Sequence, residues 1–110
     1  MKHVLIAGVA LLSGCSPVAH SFTVDAENAG SPVASAAVTL CGQPAKTLLR
    51  SGTQFRAVVA NRCEGEGSIR LRFANGATAD CSIGYVTTLE DKWNFEVRGR
   101  SCVPAKSTPV

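Results

Sequence analysis

Ser68-Ile69-Arg70-Leu71-Arg72-Phe73 alternates strictly between polar and apolar side chains, and that period of two decides the fold class. In an extended strand successive side chains leave opposite faces. Ile69, Leu71 and Phe73 therefore share one face, and Arg70 and Arg72 the other. Such a strand needs an apolar layer on one side and water on the other. Ala74-Asn75-Gly76 follows and carries Asn-Gly, the strongest short-range hairpin signal, because both residues tolerate left-handed backbone. Residues 77–87 then return as a partner strand, with Ile83, Tyr85 and Val86 as candidate packing residues.

Working outward, residues 88–92 read as a turn, and Trp93-Asn94-Phe95-Glu96-Val97 alternates again. Upstream, residues 33–41 are small and β-branched. Gly42-Gln43-Pro44 is a turn, 45–50 a short strand, Ser51-Gly52-Thr53 a second turn and 54–60 a further strand. Residues 61–67, with Glu64-Gly65-Glu66-Gly67, read as a loop. His20-Ser21-Phe22-Thr23-Val24 offers an edge strand at the start. No window holds a capped 3.6-residue period. Short strands with turns between them predict an all-β chain: a small antiparallel β-sandwich (Ig-like) or a small barrel. The likeness to Ig-like and carboxypeptidase-regulatory-like sandwich modules is one of fold and implies no function.

The chain has 110 residues, room for one small domain. Apolar residues make up 45% and charged residues 17%, which excludes a disordered, highly charged polymer. Aromatics reach only 5%, so the core must be largely aliphatic.

Met1-Lys2-His3 is a short basic start, and Val4-Leu5-Ile6-Ala7-Gly8-Val9-Ala10-Leu11-Leu12 is an uncharged run. It is too short to span a bilayer and suits the apolar part of an export signal. Leu12-Ser13-Gly14-Cys15 comes next, with small residues where a processing enzyme needs the chain to lie extended in a narrow groove. This stretch resembles the lipobox of bacterial lipoproteins. The resemblance covers the signal and Cys15. It implies a diacylglyceryl group on the Cys15 thiol, cleavage before Cys15, and a freed amine open to a third acyl chain. Two or more chains anchor stably, where one binds a membrane marginally. Ser16 stands where an Asp often retains such lipoproteins in the inner membrane, so the resemblance points to the outer membrane, facing the periplasm. The expected organisation is a signal peptide at 1–14, an acylated anchor and tether at 15–32, a β-domain at 33–103 and a tail at 104–110.

Removal of residues 1–14 leaves 96 residues with a side-chain charge of about +2. That is too weak to argue for nucleic acid. Four cysteines remain besides Cys15: Cys41, Cys63, Cys81 and Cys102. In a small exported domain an even number reads as two disulfides. No pair is spaced CxxC, so neither thioredoxin-like redox chemistry nor a zinc ribbon has its signal. Three pairings exist. The strand reading favours Cys41–Cys63, at strand ends on one side of a meander. It equally favours Cys81–Cys102, on two arms around the 88–92 turn with a bulge near Gly99 taking up an offset.

Catalysis needs a nucleophile with a base, paired acid and base groups, or metal ligands. His3 leaves with the signal and His20 stands alone. Asp80, Glu90, Asp91 and Glu96 are read as a solvated rim, and Glu64 and Glu66 as an acidic loop short of calcium ligands. Neither a catalytic residue nor a metal or cofactor site is expected. Trp93 is read as a core or lid residue. Arg56, Arg70, Arg72, Arg98 and Arg100 are candidates for a basic stripe over one sheet, suited to phosphate or carboxylate.

Three functions follow from this reading. The first is a membrane-anchored binding or structural accessory module of the cell envelope, docking an envelope protein or an anionic surface polymer. The second is an inhibitor of an envelope hydrolase such as lysozyme. Anchored β-barrel lysozyme inhibitors are similar in length and export signal, although Ser51-Gly52-Thr53-Gln54-Phe55 only loosely echoes a Ser-Gly-x-x-Tyr signature. The third is a glycan-acting enzyme built on the carboxylates.

Overall fold

The computed structural model describes residues 18–61, 63–89 and 92–105, and the expected signal peptide and Cys15 lie outside them. The described residues form nine strands in chain order: β1 (Val18–Asp25), β2 (Val33–Leu40), β3 (Lys46–Thr47), β4 (Leu49–Ser51), β5 (Gln54–Asn61), β6 (Gly65–Phe73), β7 (Thr78–Val86), β8 (Lys92–Arg98) and β9 (Ser101–Pro104). They form two sheets, ordered β4-β5-β1-β8-β9 and β3-β2-β6-β7. The chain is therefore a two-layer β-sandwich, as one of the two expected architectures had it. Among the described residues no helix is long and apolar enough to cross a membrane.

The alternation in β6 is realised as read. Ile69, Leu71 and Phe73 are buried, while Ser68, Arg70 and Arg72 face water. Phe22 and Val24 of β1, Phe55 of β5, and Phe95 and Val97 of β8 enter the same core from the other sheet. The hairpin between β6 and β7 forms at Asn75-Gly76. Gly76 N–H donates to Phe73 O at 2.9 Å and Phe73 N–H to Ala77 O at 2.8 Å, which makes a three-residue loop.

Several expectations need correction. His20-Ser21-Phe22-Thr23-Val24 lies in a central strand, not an edge strand or part of a tether. β1 pairs antiparallel with β5 and parallel with β8, so the folded unit begins at Val18, well before residue 33. Residues 45–50 are not one strand. β3 belongs to the four-stranded sheet and β4 to the five-stranded sheet, with buried Leu48 between them. The segment thus carries the chain from one layer to the other along one side of the sandwich. Residues 65–67, expected in a loop, begin β6. β9 was not anticipated. It pairs with β8 through Arg98↔Ser101, leaving Gly99 and Arg100 as a two-residue turn. Gly99 has φ +62°, as does Gly52 in the β4–β5 turn. Positive φ at the first turn residue is what a type II′ hairpin demands, and Gly supplies it without steric cost.

Both disulfides pair as expected, Cys41–Cys63 and Cys81–Cys102, but for other reasons: β2 and β5 belong to different sheets, so Cys41–Cys63 ties the ends of two layers rather than two strands of one meander. β7 and β8 lie in different sheets, so residues 88–92 do not join two arms of a hairpin. The second bond links β7 to β9, the edges of the two layers on one side, with Cα atoms 5.0 Å apart. Backbone closes the other side at Leu48. No bulge at Gly99 is involved.

Gly67 shows how closely side chains of neighbouring strands pack within the four-stranded sheet. A Cβ placed there would lie 2.7 Å from Leu40 Cδ2 and 3.2 Å from Val86 Cγ2. Leu40 and Val86 are themselves buried and have little room to move. Gly67→Ala is expected to destabilise the domain by about 1–2 kcal/mol through overpacking. A urea titration checks this, and an unchanged midpoint would show that the core yields at this point.

Candidate functional site

The outer face of the four-stranded sheet is built from small polar side chains with two arginines rising between them. Backbone register aligns Ser35 with Arg72 and Thr78, Ala37 with Arg70 and Asp80, and Thr39 with Ser68 and Ser82. Because these side chains are short, they leave a shallow trough along the face. Thr39, Ser68 and Arg70 border both of its halves, Arg72 stands over one half and Asp80 over the other. Arg70 Nε lies 3.1 Å from Asp80 Oδ1, an exposed ion pair. Such a pair adds little stability, but it fixes one wall of the trough. Arg72 makes no ion pair among the described residues. Its guanidinium is open to bidentate contact with an anionic group, beside hydroxyls that can donate to the same ligand.

The expected stripe of five arginines is not one surface. Arg70 and Arg72 lie on the outer face of the four-stranded sheet. Arg56 (β5) and Arg98 (β8) lie on the outer face of the five-stranded sheet, on the far side of the molecule, and Arg100 occupies the β8–β9 turn. Strand alternation gives inward or outward for each arginine, whereas the sheet to which a strand belongs depends on long-range pairing. Arg98 Nη2 lies 2.9 Å from Glu96 Oε1. Arg56 sits in register between Leu49 and Thr23. Leu49 and Val58 on this face are 76% and 54% exposed, and with Ser21 and Arg56 they border a second, more apolar depression. The sequence signal for it was the Val58-Val59 pair, in which a strand must turn one valine outward.

The carboxylates do not converge. Asp80 faces outward from β7, and Glu96 from β8 in the other layer. Glu90 and Asp91 lie outside the described residues. Glu64 accepts a long contact from Thr88 Oγ1 at 3.5 Å. Among the described residues no three His, Cys, Asp or Glu side chains gather where a metal could be held. His20 is buried, with its ring centroid 5.4 Å from that of Trp93. Trp93 stacks on Phe22 at 5.1 Å and 15° and closes the core edge. Ser51-Gly52-Thr53-Gln54-Phe55 forms the β4–β5 turn, with Phe55 in the core.

No family model matches the chain, and no curated protein or solved structure is significantly similar to it.

Proposed function

We propose that this chain is a membrane-anchored cell-envelope lipoprotein whose β-domain acts by binding rather than by catalysis. One observation carries the reading. Of five cysteines, the four in the folded unit are consumed in two disulfides, and the fifth stands at the acylation position of a lipobox. Disulfides belong to an oxidising compartment, in agreement with the export signal. Ser16 after the anchor favours the outer membrane, facing the periplasm. The hydroxyl-lined trough with Arg70 and Arg72 is the surface through which the domain meets an envelope protein or an anionic surface polymer. The separation of Asp80 from Glu96 on opposite faces supports a non-catalytic role.

Intact mass of the purified membrane form should give a chain beginning at Cys15 with added acyl mass. Cys15→Ala should leave the membrane fraction almost completely, since it removes the acyl chains that supply stable anchoring. Cross-linking from membranes, with the Cys15→Ala form as control, should enrich an envelope partner, and Arg72→Ala should weaken that capture. A mature terminus elsewhere, or Cys15 without acyl mass, would overturn the anchoring. Capture unaltered by Arg72→Ala would remove the trough as the contact surface.

A further inference from the structure

The strand register collects one set of chain ends at a single tip of the sandwich. Val18 of β1 pairs with Asn61 of β5, and Lys92 of β8 lies beside Ser21 in the parallel β1–β8 pair. In the other layer, Leu40 pairs with Gly67, and Gly65 pairs with Val86. The β5–β6 and β7–β8 connections join the layers here. This is also the tip at which the chain leaves toward Cys15, because β1 begins at Val18.

Covalent geometry then limits how far the domain can stand from its anchor. Three Cα–Cα steps separate Cys15 from Val18, a reach of at most about 11 Å. A bilayer headgroup layer is itself roughly 5–8 Å deep. The acyl chains of a lipidated cysteine hang from a short glyceryl arm on Sγ, so part of that reach is spent inside the headgroups. A domain tethered through residue 32 could stand well away from the bilayer, whereas one whose first strand starts at Val18 is held within about 11 Å of Cys15.

The same tip carries exposed apolar side chains. Leu89, in the β7–β8 connection, is 91% exposed, and Tyr85, near the end of β7, is 59% exposed. We infer that this tip rests on the bilayer, with Leu89 dipping into the headgroup–acyl boundary and the Tyr85 ring at headgroup level. A leucine gains by leaving water, and a tyrosine ring with a polar end suits the interface. Glu64 and Glu66 share the tip. Exposed Lys92 stands at the same tip and offsets part of their charge, so the contact is carried by the apolar side chains. The long axis of the strands stands away from the membrane, and the trough on the outer face of the four-stranded sheet remains open to the periplasm. The inference rests on the lipidation of Cys15 proposed above.

Hydrogen–deuterium exchange on the full lipidated protein in phosphatidylethanolamine–phosphatidylcholine vesicles tests it, with the detergent-free Cys15→Ala form in buffer as reference. Exchange at residues 87–89 should slow about tenfold in vesicles, the ratio that about 1.4 kcal/mol of leucine burial supports. The opposite tip, at Asn75-Gly76 and Gly99-Arg100, should be unchanged. Leu89→Ser, still acylated, should lose that protection and keep the melting temperature of the parent, since the Leu89 side chain is almost wholly exposed. Mass spectrometry of the same sample separates the two readings. A chain without acyl mass overturns the anchoring and this orientation with it. An acylated chain with unprotected 87–89, with equal protection at both tips, or with protection that survives Leu89→Ser, overturns the orientation alone.

Discussion

Phe22→Ala is expected to lower the stability of the domain by about 4 kcal/mol, one of the two largest losses any single alteration here should produce. Phe22 is wholly buried, stacks on Trp93, and sits on a strand hydrogen-bonded on both sides. Across β1 its register partners are Ala57 of β5 and Trp93 of β8. Truncation therefore removes transfer free energy and leaves a cavity that Ala57 is too small to fill and that Trp93, held in register on β8, cannot fill without moving its strand. Small domains have only about 5–15 kcal/mol in total. The variant should consequently be folded only marginally at 37 °C. Urea unfolding of the Cys15→Ala background measures it without the complication of lipid. A loss below about 1 kcal/mol would mean that β1 is peripheral and that residues 18–25 behave as the tether the composition suggested.

That composition explains which parts of the fold were legible. β6 and the Asn75-Gly76 turn depend on neighbours in sequence: a period of two, then a dipeptide with its own backbone preference. β1 carries the same alternation at His20, Phe22 and Val24, but its flanks are rich in Ser, Ala and Pro. Its parallel partner β8 lies some 70 residues away and leaves no local trace. Leu48 turns a single apparent strand into a crossing between layers, and nothing in six consecutive residues distinguishes the two. β9 is four residues long and ends in Pro104. Its signal was the Gly99-Arg100 pair, which fits a two-residue hairpin as well as a bulge. The cysteine pairing came out as read although the topology behind the reading did not, because both bonds join one layer to the other where the reading had strands of a single sheet. The arginines show the converse. Alternation placed Arg56, Arg70, Arg72 and Arg98 outward, as they are, but outward from which layer is a property of the whole sandwich.

Replacing both Cys81 and Cys102 by Ala should cost about 3 kcal/mol from chain entropy, with a further contribution because Cys81 is fully buried in the core. The residues are 21 apart in sequence, nearly the same as the 22 between Cys41 and Cys63. Loop length alone therefore predicts equal effects for the two bonds. Position breaks the tie. Cys41 and Cys63 lie at the tip and are only partly buried, and β2 and β6 remain paired beside them. Cys81–Cys102 joins the edge strands β7 and β9 of the two layers, and β9 has no neighbour other than β8 within its sheet. The Cys81/Cys102 double variant should melt roughly 15 °C lower than the parent, and the Cys41/Cys63 double variant should lose less. In the former, amide exchange should accelerate first in β9 and along β7, while β1 and β5 keep their protection, because local opening starts where few contacts oppose it. Equal losses in the two variants would leave loop entropy as the whole account. Early exchange in β1 would mean that the bond holds the core as a unit rather than closing one side of it.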